Sequence, residues 1–192
     1  MITTPEFIRR LIATASDFVG LVETKDNAVW DDPRTRDLDT EKNNVLRSAM
    51  EPFGWEAGEP YCAAFAGAVV YLTAKRSGLV TDKFLAIWTP HCMTNVRAFK
   101  KRSLLDDQPS DGCIMLMRHG QSDSGHAALV AHVDGVYPNR MLATIEGNTS
   151  ATLVGSQRQG DGIYSRARNV RENGDLVTQG FVSAQTILSL LA

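Results

Sequence analysis

The stretch Gly58-Glu59-Pro60-Tyr61-Cys62-Ala63-Ala64-Phe65-Ala66 leads a proline turn straight into an apolar run that ends at Gly78. It predicts a helix whose first turn carries Cys62. N–H groups without intrahelical partners and the positive end of the helix dipole stabilise an anion there, so a thiol in that position ionises more readily. Such a cysteine is either a nucleophile or a small core residue at the start of a buried helix, and the rest of the chain decides which.

Two later segments supply matching chemistry. Ser124-Gly125-His126-Ala127-Ala128-Leu129-Val130-Ala131-His132-Val133 is apolar enough for a buried strand, with a histidine at its mouth after a glycine turn. Arg140-Met141-Leu142-Ala143-Thr144-Ile145-Glu146-Gly147-Asn148-Thr149 reads as a second strand ending in polar groups. A thiol, an imidazole and a carboxylate thus follow in chain order. In a cysteine hydrolase the imidazole takes the thiol proton and a third polar group holds the imidazole. Glu146 and Asn148 share a strand face by its two-residue period, and either can orient His126 through its Nδ1–H. Gly147-Asn148 alone also reads as a hairpin turn. The Cys62 backbone N–H, and more weakly the Tyr61 hydroxyl, are candidates to hold the substrate carbonyl.

Four histidines compete as base. His126 and His132 are six apart, which puts them on one strand face but about 20 Å from each other, so only one reaches Cys62. His126 sits at the strand mouth, the usual place for a reactive group on a rigid scaffold; His132 is expected to be structural. His119, in the loop after Arg118, is the reserve candidate, and His91 is expected at the surface.

The elements Pro60-Tyr61-Cys62-Ala63-Ala64-Phe65, Gly125-His126 and Ile145-Glu146-Gly147-Asn148-Thr149 resemble those of papain-like peptidoglycan hydrolases of the CHAP and NlpC/P60 group, and more closely CHAP domains of phage endolysin type. Gly155-Ser156-Gln157-Arg158-Gln159-Gly160-Asp161-Gly162 and Tyr164-Ser165-Arg166-Ala167-Arg168 are similar to the loop and last strand of such domains. The family usually carries Pro-x-x-Gly-Asp before the strand preceding the histidine, whereas Pro109-Ser110-Asp111-Gly112-Cys113 reverses that order. The resemblance implies a papain-like fold, with helices packed on an antiparallel sheet, and Glu146 as the third site member beside Cys62 and His126, with Asn148 aligning the ring or binding substrate. It implies cleavage of a peptidoglycan amide bond, as an N-acetylmuramoyl-L-alanine amidase or a stem endopeptidase. A phage endolysin released through a holin and an interbacterial toxin paired with an immunity protein both fit. The alternatives are a non-catalytic wall-binding module, or a transglutaminase or acyltransferase on the same fold.

With 192 residues and 43% hydrophobic content the chain is read as one domain, with residues 1–57 as a helical N-terminal part and 58–181 as the reactive core. A net charge of −2 argues against nucleic acid or anionic membrane as partner. Lys100-Lys101-Arg102 and Arg166-Ala167-Arg168 are read as solvated ends of elements. The opening Met1-Ile2-Thr3-Thr4-Pro5-Glu6-Phe7 reads as a capped amphipathic helix rather than a Sec-type signal, and no apolar run approaches the ~20 residues that span a bilayer. The expectation is a protein made in the cytoplasm that acts in the periplasm or wall.

Cys62, Cys92 and Cys113 cannot all pair, and no Cys-x-x-Cys spacing suggests zinc. Cys113 is expected in the core and Cys92 early in a helix. No cofactor or metal is expected. A His119, Asp123 and His126 site would leave Cys62 idle, the acidic loop from Asp26 to Asp37 lacks the EF-hand pattern, and calcium enters only because some CHAP relatives use it. Patterning predicts helices near 4–22, 39–52, 61–77 and 90–101, strands near 113–118, 126–133, 140–146 and 162–168, a closing strand at Phe181-Val182 and a short terminal helix. Helices followed by strands indicate α+β, with Glu23 to Asp39 as an exposed loop.

Overall fold

The computed structural model describes residues 2–25, 27–32, 40–135, 141–150 and 160–192. In chain order these form α1 (Thr4–Ser16), β1 (Val22–Lys25), β2 (Val29–Asp31), α2 (Thr40–Met50), α3 (Cys62–Arg76), α4 (Asp82–Leu85), α5 (Cys92–Lys101), β3 (Ile114–His119), β4 (Gly125–Asp134), β5 (Met141–Thr149), β6 (Gly162–Asn169), β7 (Glu172–Asn173), β8 (Leu176–Val182) and α6 (Ala184–Leu190). The class is α+β, as the patterning predicts. One antiparallel sheet of eight strands runs in the order β2-β1-β6-β5-β4-β3-β8-β7.

That order forces the sheet to roll. Flat, β6 and β7 would lie five strand spacings apart, about 24 Å, yet three peptide steps, about 11 Å at most, join Asn169 to Glu172. The roll creates two apolar clusters from alternate residues of the same strands. Ile114, Leu116, Ala127, Leu129 and Ile145 face the helices in the main core, whereas Met115, Met117, Ala128, Val130 and Leu142 join Phe181 in a smaller inner cluster.

Helix α3 is central. It packs on β4 and β5 and on α1 and α2, and every residue from Cys62 to Val70 is buried. Small residues permit this close approach. A Cβ on Gly67 would stand 2.7 Å from the Trp88 indole, and one on Gly147 of β5 would stand 2.7 Å from Phe65 Cβ. Trp88 Nε1 donates to Ala63 O at 2.9 Å, which ties the first turn of α3 to the aromatic group formed with Phe84 and Phe99.

Several boundaries differ from the patterning. α1, capped by Thr3, stops at Ser16 because the chain turns at Gly20, φ +94°, whose N–H donates to Ile163 O. The expected loop after residue 22 instead opens with the β1–β2 hairpin. Trp30 anchors it, fully buried against Trp55 and Tyr61, with its backbone N–H donating to Asn43 Oδ1 at 2.6 Å. Residues 26 and 33–39 of that loop, and 155–159 of the loop compared with CHAP domains, lie outside the described residues. The closing strand is longer than Phe181-Val182, since β8 begins at Leu176 after a turn at Gly174, φ +68°. The reversed Asp111-Gly112 pair still makes a turn: Gly112 has φ +76°, and Asp111 Oδ1 accepts the Val133 N–H at 2.8 Å.

Candidate active site

Tyr61, the residue before α3, has no capping side-chain bond, unlike Thr3 of α1 and Ser183 of α6. The first turn of α3 therefore keeps its N–H groups for whatever anion stands there. Cys62 Sγ occupies that place, 3.8 Å from Gly125 O at the start of β4. Burial alone would push the thiol up. The charge and hydrogen bond of His126 outweigh it, helped by the Ala127 and Ala63 N–H groups, and the pKa of Cys62 ends lowered.

His126 stands beside the thiol on the inner face of the sheet, in step with Ala128 and Val130. Burial disfavours its charged form, but the Cys62 thiolate and then Glu146 raise its pKa to about 9. The two shifts favour the charged form of each group, thiolate for Cys62 and imidazolium for His126. His126 Nε2 lies 2.8 Å from Glu146 Oε2. The expected contact was through Nδ1; Nε2 is the nitrogen the carboxylate takes, which leaves Nδ1 for the thiol.

Glu146 is fully buried on β5, one strand from His126. Burial opposes its ionisation, but hydrogen bonds from Arg168 and His126 hold its carboxyl far below the usual range. Asn148 does not share this role. A bulge between Glu146 and Thr149 breaks the two-residue alternation, Asn148 takes φ +52°, and β5 runs on to Thr149, so Gly147-Asn148 is no hairpin turn. Its side chain lines the pocket beside Cys62 and His126, with Oδ1 buried and unpartnered among the described residues.

Two hollows meet at the thiol and share Pro60, Cys62, Ser124 and Gly125. One, about 350 Å³, is walled by the start of α5 with His91, Cys92, Met93 and Arg97. The other, about 200 Å³, is walled by His119, His126 and Asn148. Cys62 thus borders both hollows. Tyr61 lines neither. Its ring is buried edge-on to Trp30, and the Trp30 indole and Asn148 peptide N–H groups lie toward its oxygen at geometry short of a hydrogen bond. The Tyr61 hydroxyl, expected to hold a substrate carbonyl, is buried and does not line either hollow.

The remaining histidines separate cleanly. An extra residue at Ala131 shifts the register between Val130 and His132, so His132 leaves the face of His126 and points to solvent near Asp111. It is not the structural residue expected. His91 is exposed, as expected. His119 is buried at the cleft, its Nδ1 3.0 Å from Asp175 Oδ2, while Asp123 is turned outward to Arg97. His119, Asp123 and His126 therefore do not converge. Among the described residues no group of three or more His, Cys, Asp or Glu is placed to hold a metal ion, and no helix is long and apolar enough to cross a membrane.

Cys113 is core, as expected, with burial pushing its thiol up to about 12. Cys92 opens α5, buried, with Sγ 3.2 Å from His126 O; burial, then the neighbouring Cys62, raises its pKa.

Arg168 is the residue that sequence reading missed. Lys100-Lys101-Arg102 is exposed as expected, but Arg166 and Arg168 are buried while Ser165 before them and Ala167 between them face water. Two arginines at i, i+2 on a strand share a face, and small neutral neighbours on the other face were the signal that this face is the inner one. Comparisons with protein-family models, curated proteins and solved structures give no match for this chain.

Proposed function

We propose that this chain is a cysteine-dependent amidohydrolase or peptidase, with Cys62 as nucleophile, His126 as acid and base and Glu146 as its orienting carboxylate. The observation that carries the reading is the buried series of thiol, imidazole and carboxylate from α3, β4 and β5. The thiolate adds to an amide carbonyl carbon, and the oxyanion takes the free N–H groups of the first turn of α3. The His126 imidazolium gives its proton to the departing amine as the C–N bond breaks, leaving a thioester. His126, now neutral, takes a proton from water, which adds to the thioester and releases the acid and the thiolate.

A helix-borne thiol against a strand-borne imidazole fits a papain-like fold, and the motifs around Cys62, His126 and Glu146 favour CHAP or NlpC/P60 chemistry on peptidoglycan. The two hollows beside Cys62 suit a branched peptide stem extending to both sides of one amide. In this reading the protein acts in the periplasm or wall, as a phage endolysin or as a delivered toxin whose partner is an immunity protein.

Mass spectrometry of muropeptides after incubation with purified sacculi tests the proposal. Fragments that gain one water per cut, absent with Cys62→Ala, are expected. Fragments carrying an added amine instead of water would make the chain an acyltransferase, and wall binding without any new fragment would make it a binding module.

A further inference from the structure

Behind the imidazole, the carboxylate has a second partner on the next strand. Arg168 Nε lies 2.8 Å from Glu146 Oε1 and Arg168 Nη2 lies 2.5 Å from Oε2. Thr144 Oγ1 donates to Oε1 at 2.5 Å, and His126 Nε2 approaches Oε2 at 2.8 Å. The Arg168 side chain is 6% exposed and that of Glu146 0%. Register explains the reach: Arg168 pairs with Leu142 and Arg166 with Thr144, so both arginine side chains lie on the inner face that carries Glu146.

A carboxylate removed from water stays ionised only if other groups replace its hydration. A guanidinium does this without titrating, and its two parallel N–H groups fix the carboxylate plane as well as its charge. The plane matters because it decides that Oε2 faces His126. Four groups then alternate in sign from β6 to α3: Arg168, Glu146, His126 and Cys62.

We infer that Arg168 is a positioning residue of the thiol site, its guanidinium fork fixing the Glu146 carboxylate against His126. It acts on the thiol site through Glu146, so the inference rests on the cysteine-hydrolase reading. The charged and titratable groups around this series come from every neighbouring strand and helix. Glu146 of β5 meets His126 of β4 and Arg168 of β6; His126 meets Cys62 of α3; Cys62 in turn acts on Cys92 of α5; and His119 of β3, paired with Asp175, shares the pocket.

The consequence is a shift in pH dependence. Without the guanidinium, Glu146 takes up a proton at higher pH, a neutral carboxyl supports the imidazolium less, and Cys62 keeps its proton to higher pH.

The test follows iodoacetamide alkylation of Cys62 against pH, located by peptide mass spectrometry, with circular dichroism to confirm folding. In Arg168→Met the midpoint is expected to rise by at least one unit, about a tenfold slower reaction at pH 6. Arg168→Lys keeps the charge without the fork and should fall between Arg168→Met and wild type. Glu146→Gln combined with Arg168→Met should shift no further than Glu146→Gln alone, and it removes both buried charges should the single variant not fold. An unchanged midpoint in folded Arg168→Met or Arg168→Lys, or a shift that adds to that of Glu146→Gln, would overturn the inference. No wall substrate is used, so inert sacculi with a shifted midpoint would remove the peptidoglycan reading and leave the role of Arg168 standing.

Discussion

Glu146 Oε2 lies 2.8 Å from His126 Nε2, and neither side chain is more than 1% exposed. A buried carboxylate against an imidazole does two things: it fixes which nitrogen carries the hydrogen, and it supports the positive charge that forms when the thiol gives up its proton.

Glu146→Gln separates these effects, because the amide oxygen still accepts the Nε2–H but carries no charge. Turnover is expected to fall roughly 10²–10⁴-fold, with KM changed much less. The variant also leaves the Arg168 guanidinium buried beside a neutral partner, so thermal melts must accompany the kinetics. Among the described residues Asn148 makes no hydrogen bond to the imidazole, and it takes φ +52°, so Asn148→Gly, which tolerates that backbone, should lose less. A near-normal Glu146→Gln beside a crippled Asn148→Gly would transfer the orienting role to Asn148.

The pH profile follows from the same pair. In the proposed mechanism the reacting form holds Cys62 as thiolate and His126 as imidazolium, so activity is expected to rise with pH as Cys62 ionises, below the ordinary thiol range. The His126 pKa is raised, to about 9, so the imidazolium persists below that pH and is lost as pH rises through it. The profile of kcat/KM should be a bell with its alkaline limb near 9, moving to lower pH in Glu146→Gln. An alkaline limb near the ordinary histidine value in wild type would contradict the ion pair.

The three thiols should differ in reactivity. Burial pushes Cys113 up to about 12 and raises Cys92 well above its ordinary value, while Cys62 is lowered. At pH 6 iodoacetamide should label Cys62 first, and Cys62→Ala should lose wall cleavage while Cys92→Ala and Cys113→Ala keep substantial activity. Preferential labelling of Cys92 would move the nucleophile to α5.

The legible part of this chain was where local pattern and tertiary role agree. Cys62 at a helix start, His126 at a strand mouth and Glu146 near a strand end follow from turn residues and apolar runs, and the structure brings all three together. What stayed hidden depends on events beyond local pattern. The extra residue at Ala131 turns His132 outward, and the bulge after Glu146 takes Asn148 out of step; neither leaves a composition signal. Arg168 reads as a surface charge until the roll of the sheet makes its face an interior. The β1–β2 hairpin escaped because polar residues outnumber Val22, Val29 and Trp30, yet buried Trp30, its bond to Asn43 and the pairing of Val22 with Gly162 hold the strands to the rest of the fold. The β7–β8 hairpin escaped as well, since the closing strand is expected only at Phe181-Val182, although Asn173-Gly174 is itself a hairpin dipeptide.

Gly67 offers a test of how firmly α3 holds the thiol. Within a helix, Gly67→Ala gains about 1 kcal/mol from backbone propensity. Its Cβ would stand 2.7 Å from Trp88 Cδ1 and Nε1, and 3.1 Å from Phe53 Cζ. Trp88 has little room to withdraw, since its indole is bonded to Ala63 O, stacked on Phe84 at 5.5 Å and edged by Phe99. Overpacking of this kind costs about 1–3 kcal/mol, so the clash should equal or exceed the propensity gain. The expected outcome is a melting temperature lower by up to roughly 8 °C. Turnover should fall further than stability does, because any shift of Trp88 pulls on the Ala63 carbonyl and with it on the turn that carries Cys62. A higher melting temperature with full activity would show that Trp88 yields and that the first turn of α3 is held by its contacts with β4 and β5 alone.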